Sequence, residues 1–178
     1  MKDTVPGLGI SAVIPTRGDV DITPIIKRVE PFVDEIIVAD YGLSVYNRYK
    51  GIKKAKNDII YTQDDDCLVD VEKIITLYEP GIIVNAIKPD RIKDYPDMTL
   101  VGWGAVFDKD LTKVLDDWEK DELFMRECDR VFTALNKRHS IPMPVQDLYQ
   151  GNRMGEEDRH WNDLKKIRER IYVSGLGV

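Results

Sequence analysis

Histidine and cysteine are scarce in this sequence, with two of each among 178 residues. Cys67 and Cys128 are too few for a disulfide scaffold, and no Cys-His spacing of a zinc site surrounds them. They read as reduced, inert, buried side chains. No stretch approaches the roughly 20 apolar residues of a membrane span, so none is expected. Positive charge is also in deficit: 26 Lys and Arg stand against 32 Asp and Glu, a net charge of −6. That balance weighs against generic nucleic-acid affinity, although a local basic groove would remain compatible with it. The first residues, MKDTVPGLGISAVIP, set an acidic residue beside their lysine and break the apolar part at Pro6, Gly7 and Gly9. This is a poor secretory signal, and the cytoplasm is the expected location. Repeats, low-complexity tracts and linkers are absent from the sequence.

What is present is an ordinary globular balance, 43% hydrophobic and 33% charged. The length suits one domain over 1–178 with a real core. In the first half, apolar runs alternate with helical stretches. Ser11–Pro15, Glu35–Asp40 and Asp58–Gln63 read as strands. Thr23 before Pro24 reads as the cap of a helix to about Phe32. Tyr46–Lys56 places Tyr49, Ile52 and Ala55 on one helical stripe with lysines elsewhere. Strands alternating with helices imply a parallel α/β sheet with right-handed crossovers. Further on, we expect helices over Val71–Tyr78, Asp108–Asp117, Glu119–Arg138 and Glu157–Arg170. Strands are expected over Gly81–Asn85 and Thr99–Phe107, the latter interrupted at Gly102 and Gly104, with Ser140–Val145 extended.

Asp64-Asp65-Asp66 follows directly on the apolar run Ile59-Ile60-Tyr61-Thr62-Gln63. Ligands of open α/β sheets gather at the carboxyl ends of strands. Three adjacent carboxylates there repel one another unless something positive compensates. On an extended chain Asp64 and Asp66 point to one side and Asp65 to the other. A hard divalent cation suits the paired oxygens, above all when it also holds a diphosphate. A solvated acidic turn is the plain alternative.

The order SAVIPTRGD, EIIVAD, a helix containing Asn47-Arg48 and Ala55, then DIIYTQDDD resembles the nucleotide-binding half of GT-A glycosyltransferases. The acidic triplet matches their DXD motif. Gly102-Trp103-Gly104-Ala105-Val106-Phe107 resembles their glycine-containing acceptor loop. Arg126-Glu127-Cys128-Asp129 falls where the family carries its acidic catalytic motif. His160 falls where many members have a late histidine that completes the metal site. The likeness covers about residues 9–170, with a nucleotide-binding half to about 70 and an acceptor half beyond it. The chain also resembles compact glycosyltransferases of some phage and bacterial genomes, for which a phage-encoded protein would work in the host cytoplasm.

The resemblance implies a mostly parallel α/β fold of GT-A type and a set of roles. Pro15, Thr16 and Arg17 would border the nucleotide base and ribose, with Asp40 near the base. Arg48 would approach the donor phosphates or sugar. Asp64 and Asp66 would serve Mn2+ or Mg2+ and the donor, Asp66 being the better direct ligand, with Asp65 beside them and His160 a further metal ligand. Trp103 and Gly104 would border the donor and acceptor, although a core tryptophan reads equally well. Asp129 would be the base that deprotonates the acceptor hydroxyl in an inverting transfer from a nucleotide-sugar, UDP-linked by expectation. The motif reads Glu-Cys-Asp rather than adjacent Glu-Asp, so Glu127 competes for that role. Gly155-Glu156-Glu157-Asp158 offers a third choice, against its plainer reading as the acidic first turn of a helix.

The chemistry asks for these residue types. A leaving nucleoside diphosphate gathers negative charge that a cation neutralises, while a carboxylate takes the acceptor proton. The acceptor would be a saccharide or, in a phage setting, a hydroxymethylated base in DNA. A nucleotidyltransferase shares such a sheet, but the glycine-rich GxGTRxxP loop is only partly matched by Val13–Gly18. A metal-dependent hydrolase lacks a second ligand cluster. A calcium- or carbohydrate-binding module is the non-enzymatic alternative. His139, Trp118 and Trp161 carry no functional signal. Lys165, Lys166, Arg168 and Arg170 read as a solvated helix face.

Overall fold

A computed structural model describes residues 9–40, 44–148 and 157–173 of the chain, with side chains in the last segment from residue 161 onward. The strands are β1 (Ile10–Thr16), β2 (Glu35–Asp40), β3 (Ile59–Thr62), β4 (Cys67–Leu68), β5 (Ile83–Ile87), β6 (Ala105–Asp108), β7 (Arg138–Pro142) and β8 (Gln146–Asp147). The helices are α1 (Thr23–Val29), α2 (Asn47–Lys54), α3 (Val71–Thr76), α4 (Glu122–Ala134) and α5 (Glu157–Val173).

Six strands form one sheet in the order β2-β1-β3-β6-β5-β7, and β4 pairs with β8 in a small second sheet. Pairs β1–β2, β1–β3 and β5–β7 are parallel, whereas β6 runs antiparallel to β3 and to β5. Five strands therefore point one way and β6 alone points back. The sheet is mostly parallel, as expected, and its carboxyl edge gathers the ends of β1, β2, β3, β5 and β7.

Both faces are covered, which is why the central strands are apolar nearly throughout. Side chains alternate strictly. Ile10, Ala12 and Ile14 of β1, with Ile59 and Tyr61 of β3, join the core under α1 and α3. Val13 and Ile60 join the other core, built with Tyr49 and Ile52 of α2, Phe124, Cys128, Val131 and Phe132 of α4, and Leu164, Ile167 and Ile171 of α5. The stripe Tyr49, Ile52, Ala55 is buried as its spacing predicts. At Gly51 a Cβ would come 2.9 Å from Val13 Cγ1 and 3.1 Å from Ala39 Cβ, so glycine lets α2 lie close on β1 and β2.

Several boundaries depart from expectation. Thr23 is the first residue of α1 rather than its cap, and its amide donates to Asp21 Oδ1 at 2.9 Å. The segment expected as a helix over Asp108–Asp117 is a 3-10 helix, Lys109–Leu115, held where the Lys109 ammonium donates to the Ala55 carbonyl at 2.7 Å. α4 is shorter than Glu119–Arg138: Asp121 caps its start and the Asn136 amide closes its end on the Phe132 carbonyl at 2.8 Å. Of the expected strand Thr99–Phe107 only the part from Ala105 onward pairs as strand, in β6, which runs on to Asp108. Gly104, at φ 106, turns the chain into it. A 3-10 helix at Pro89–Asp94 and the β4–β8 pair were not expected.

Candidate active site

The acidic triplet leaves the carboxyl end of β3 with the strand's alternation intact. Ile60 and Thr62 face α2 and α4, and Asp64 continues that side. Its carboxylate meets Arg48 of α2, which extends its second terminal nitrogen to Asp129 of α4. The Asp64 amide donates to the Gly102 carbonyl at 2.7 Å. A Cβ on Gly102 would stand 2.0 Å from Asp64 Oδ2, so only glycine leaves room for this carboxylate. Asp65 turns the other way, as alternation requires, and its Oδ2 accepts the Arg17 backbone amide at 3.3 Å. Asp66 is half-buried, and its carbonyl accepts the Leu148 amide at 2.7 Å, which ties the triplet to the end of β8.

The β1–β2 register sets Thr16 beside Asp40 and Pro15 beside Ala39. Thr16, Arg17 and Asp40 therefore lie at one end of the sheet with the triplet, Asp40 and Arg17 exposed and Pro15 buried. Thr16 Oγ1 accepts the Gly18 amide at 3.0 Å, and Gly18 turns at φ 76. Arg48, expected to face the donor, is 0% exposed. Asp129 has 7% of its side chain exposed. Its Oδ2 takes Arg48, and its Oδ1 accepts the Tyr49 hydroxyl at 2.8 Å. Glu127 lies two residues away on α4 and pairs with Arg130 instead. Asp129 alone of the two joins the triplet through Arg48.

Burial pushes Asp64 up to about 6, with Asp129, Asp66 and Asp65 adding to the rise and Arg48 opposing it. Solvent at the 37% of the side chain that stays exposed moderates this shift. Burial also works against the Arg48 charge, but Asp129 and Asp64 outweigh it and hold the guanidinium protonated. Glu127 is raised chiefly by burial, against the pull of Arg130. The buried Cys67 and Cys128 thiols are pushed well up by desolvation, which keeps them protonated and inert.

Trp103 is half-buried, edge-on to Tyr95 at 6.2 Å between ring centroids. The Lys88 ammonium stands 5.4 Å from its ring centre and also pairs with Asp147 at 2.7 Å. Gly104 is packed against α3, where a Cβ would meet Ile74 Cδ1 at 2.8 Å. The segment from Tyr95 to Gly104 is braced from four elements. Asp97 accepts Arg168 at 2.8 Å and the Tyr172 hydroxyl at 3.0 Å, both from α5. The Arg138 guanidinium donates to the Pro96 carbonyl at 2.9 Å. The Thr99 amide donates to Thr133 Oγ1 at 2.8 Å, and the buried Asn85 amide of β5 reaches Thr99 Oγ1 at 3.3 Å. Arg168 and Arg170 are thus engaged, Arg170 with Asp121, whereas Lys165 and Lys166 are exposed.

The His160 side chain and those of Glu157 and Asp158 lie outside the described residues, as do Gly155 and Glu156. Among the described residues no three His, Cys, Asp or Glu side chains are arranged to hold a metal ion. Sequence reasoning missed Tyr49 as a partner of Asp129 and Gly102 as the seat of Asp64. The signal for Tyr49 was its place beside Arg48 on the buried stripe.

No family model and no curated protein matches the sequence. Solved structures do. Glucosyl-3-phosphoglycerate synthase from Mycobacterium tuberculosis with Mn2+, UDP-glucose and phosphoglyceric acid is 13% identical, with a TM-score of 0.51 over 95% of this chain and 80% of that one. The same enzyme with Mg2+ and UDP is 12% identical, with a TM-score of 0.52 over 82% and 73%. TarS residues 1–349 from S. aureus in complex with UDP-GlcNAc match at 13% identity, covering 84% of this chain and 60% of that one, with a TM-score of 0.45. The chain spans from 58% to 80% of the length of the first two M. tuberculosis structures matched. The synthase is a GT-A glycosyltransferase, and this chain has the GT-A fold. No helix among the described residues is long and apolar enough to cross a membrane.

Proposed function

We propose that the protein is a metal-dependent glycosyltransferase that moves a hexosyl group from a nucleotide-sugar, UDP-linked by preference, to an acceptor hydroxyl. One observation carries this reading. Asp64–Asp66, the β1 loop at Thr16–Arg17 and Asp129 of α4 meet at the carboxyl edge of a GT-A sheet. The structural neighbours bound to UDP with Mn2+ or Mg2+ support the same donor and cation.

The residues present fit a hard divalent cation. The donors are carboxylate oxygens, and Asp129, Asp66 and Asp65 each work against the charged form of Asp64, which Arg48 favours. Such cations accept one or two carboxylates and complete their shell with water and substrate phosphates. Asp66 would hold the cation directly, with His160 as a further ligand and Asp64 beside them on the donor side. Bound there, it would neutralise the charge gathering on the departing diphosphate. Thr16, Arg17 and Asp40 would border the nucleoside, and Asp65 would hold that loop through the Arg17 amide.

Of the two carboxylates on α4, Asp129 is the base we assign for an inverting transfer. A carboxylate offers about four lone-pair positions. Arg48 and Tyr49 occupy two and leave capacity for an acceptor hydroxyl. Trp103 and Lys88 would border that acceptor, a saccharide in the simplest case.

Thermal melts test the reading. UDP with Mn2+ should raise Tm, by an amount equivalent to about 2.7 kcal/mol at one hundred times Kd. If none of the common nucleoside diphosphates shifts Tm in the presence of Mn2+ or Mg2+, the reading fails. Asp129→Asn should lower turnover about 10²–10⁴-fold while leaving UDP binding nearly unchanged. Full activity in that variant would remove the base assignment, and the anomeric configuration of the product checks inversion.

A further inference from the structure

We propose that Arg48 is a positioning residue: an internal strut that joins Asp64 to Asp129 and withdraws Asp64 from direct cation ligation. The cation clause rests on the function proposed above, whereas the strut does not.

Several observations converge on it. The Arg48 side chain is 0% exposed. An arginine that greets a ligand keeps its head near solvent and buries only its stem. Here the head itself is enclosed, and both terminal nitrogens are engaged. One terminal nitrogen goes to the carboxylate at the end of β3, and the other goes to the carboxylate on α4, 81 residues away in sequence from Arg48. Asp64 is wedged from the far side as well. Its Oδ2 lies over Gly102 where no Cβ fits, and its amide is bonded to the Gly102 carbonyl at 2.7 Å. The Tyr49 hydroxyl holds the remaining Asp129 oxygen at 2.8 Å. The close approach of α2 at Gly51 fixes the height of the strut on the sheet. Asp64 thus has one oxygen on a guanidinium and the other pressed against backbone. Asp66, on the same side of the chain, has no contact with Arg48 among the ion pairs described.

The strut sets the spacing between the triplet and α4 independently of any ligand. A buried guanidinium that has lost one carboxylate leaves charge uncompensated, so the two carboxylates depend on each other through it.

Isosteric variants decide the matter in the full chain. Without ligands, Asp64→Asn and Asp129→Asn should each lower Tm. The double variant should lose clearly less than the sum of the two, while pairing Asp129→Asn with Asp66→Asn should be additive. With Mn2+ alone, read by its electron paramagnetic resonance signal, Asp64→Asn should keep the wild-type affinity within about threefold and Asp66→Asn should lose about tenfold or more. Arg48→Lys keeps the charge but reaches one carboxylate only. It should lower kcat with little change in the KM for the nucleotide-sugar. Additive losses for Asp64 and Asp129 would overturn the strut. Asp64→Asn abolishing Mn2+ binding would overturn the withdrawal of Asp64. A raised KM at constant kcat in Arg48→Lys would return Arg48 to the donor. If Arg48→Lys fails to fold, the aspartate variants still decide. If the wild-type protein binds no Mn2+, the proposed function falls while the melting cycle alone still tests the strut.

Discussion

At the scale of single residues, the site is governed by which side chains have no alternative. Gly102 is the sharpest case. A methyl group there would fall 2.0 Å from Asp64 Oδ2, and the carboxylate cannot retreat without leaving Arg48. Gly102→Ala should therefore cost about 1–3 kcal/mol, in the range of overpacked interiors, and should cut activity well beyond what that loss of stability explains. Urea melts beside a transfer assay check both. The opposed directions of Asp64 and Asp65 were legible from the sequence, because an extended chain alternates whatever surrounds it. The burial of Arg48 was not. It sits among exposed lysines on α2, and only the approach of α4, distant in sequence, shows that its guanidinium is enclosed. Gly102 was legible as a break in a strand, but not as a seat for a carboxylate.

Helices and strands carry the next level. α4 presents Asp129 to the site, and its start is fixed by Asp121, whose Oδ1 accepts the Phe124 amide at 2.8 Å while Oδ2 accepts Arg170 of α5 at 2.6 Å. The Phe124 amide bond, with help from Arg170, holds the Asp121 carboxyl below its usual range. A lowered folded-state value means that this stabilisation is fully present above the unfolded value of 3.8 and fades as pH falls through the folded one. Asp121→Ala should cost about 0.5–2 kcal/mol at pH 7, and the gap from wild type should narrow below pH 3.8. Denaturant titrations at pH 7 and pH 3 read this directly. A gap that widens in acid would contradict the cap. The helix itself was legible from its apolar period. Its ends were not, because the Asp121 cap and the Asn136 closure depend on which of several polar residues the tertiary packing brings into place.

For the molecule as a whole, the alternation of strands and helices in the first half announced an α/β sheet, since short apolar runs bounded by turns leave few other options. The reversal of β6 was illegible, because direction in a sheet is set by long-range pairing rather than by side-chain pattern. So was the β4–β8 pair, two residues on each side, too short for any period to appear. The proposed acceptor side, around Trp103 and Lys88, takes its shape from these unforeseen parts. The last helix matters there too. Arg168 and Tyr172 both end on Asp97, in the segment that leads to Gly102. α5 thus fastens a segment some seventy residues earlier in the sequence, so distance along the chain is no guide to where damage shows. Cutting the protein back to Ile167 should be felt first, in hydrogen-exchange mass spectrometry, as faster exchange of amides 95–104, ahead of the α4 surface that α5 covers. Maturation of the site during synthesis would then wait until α5 has left the ribosome.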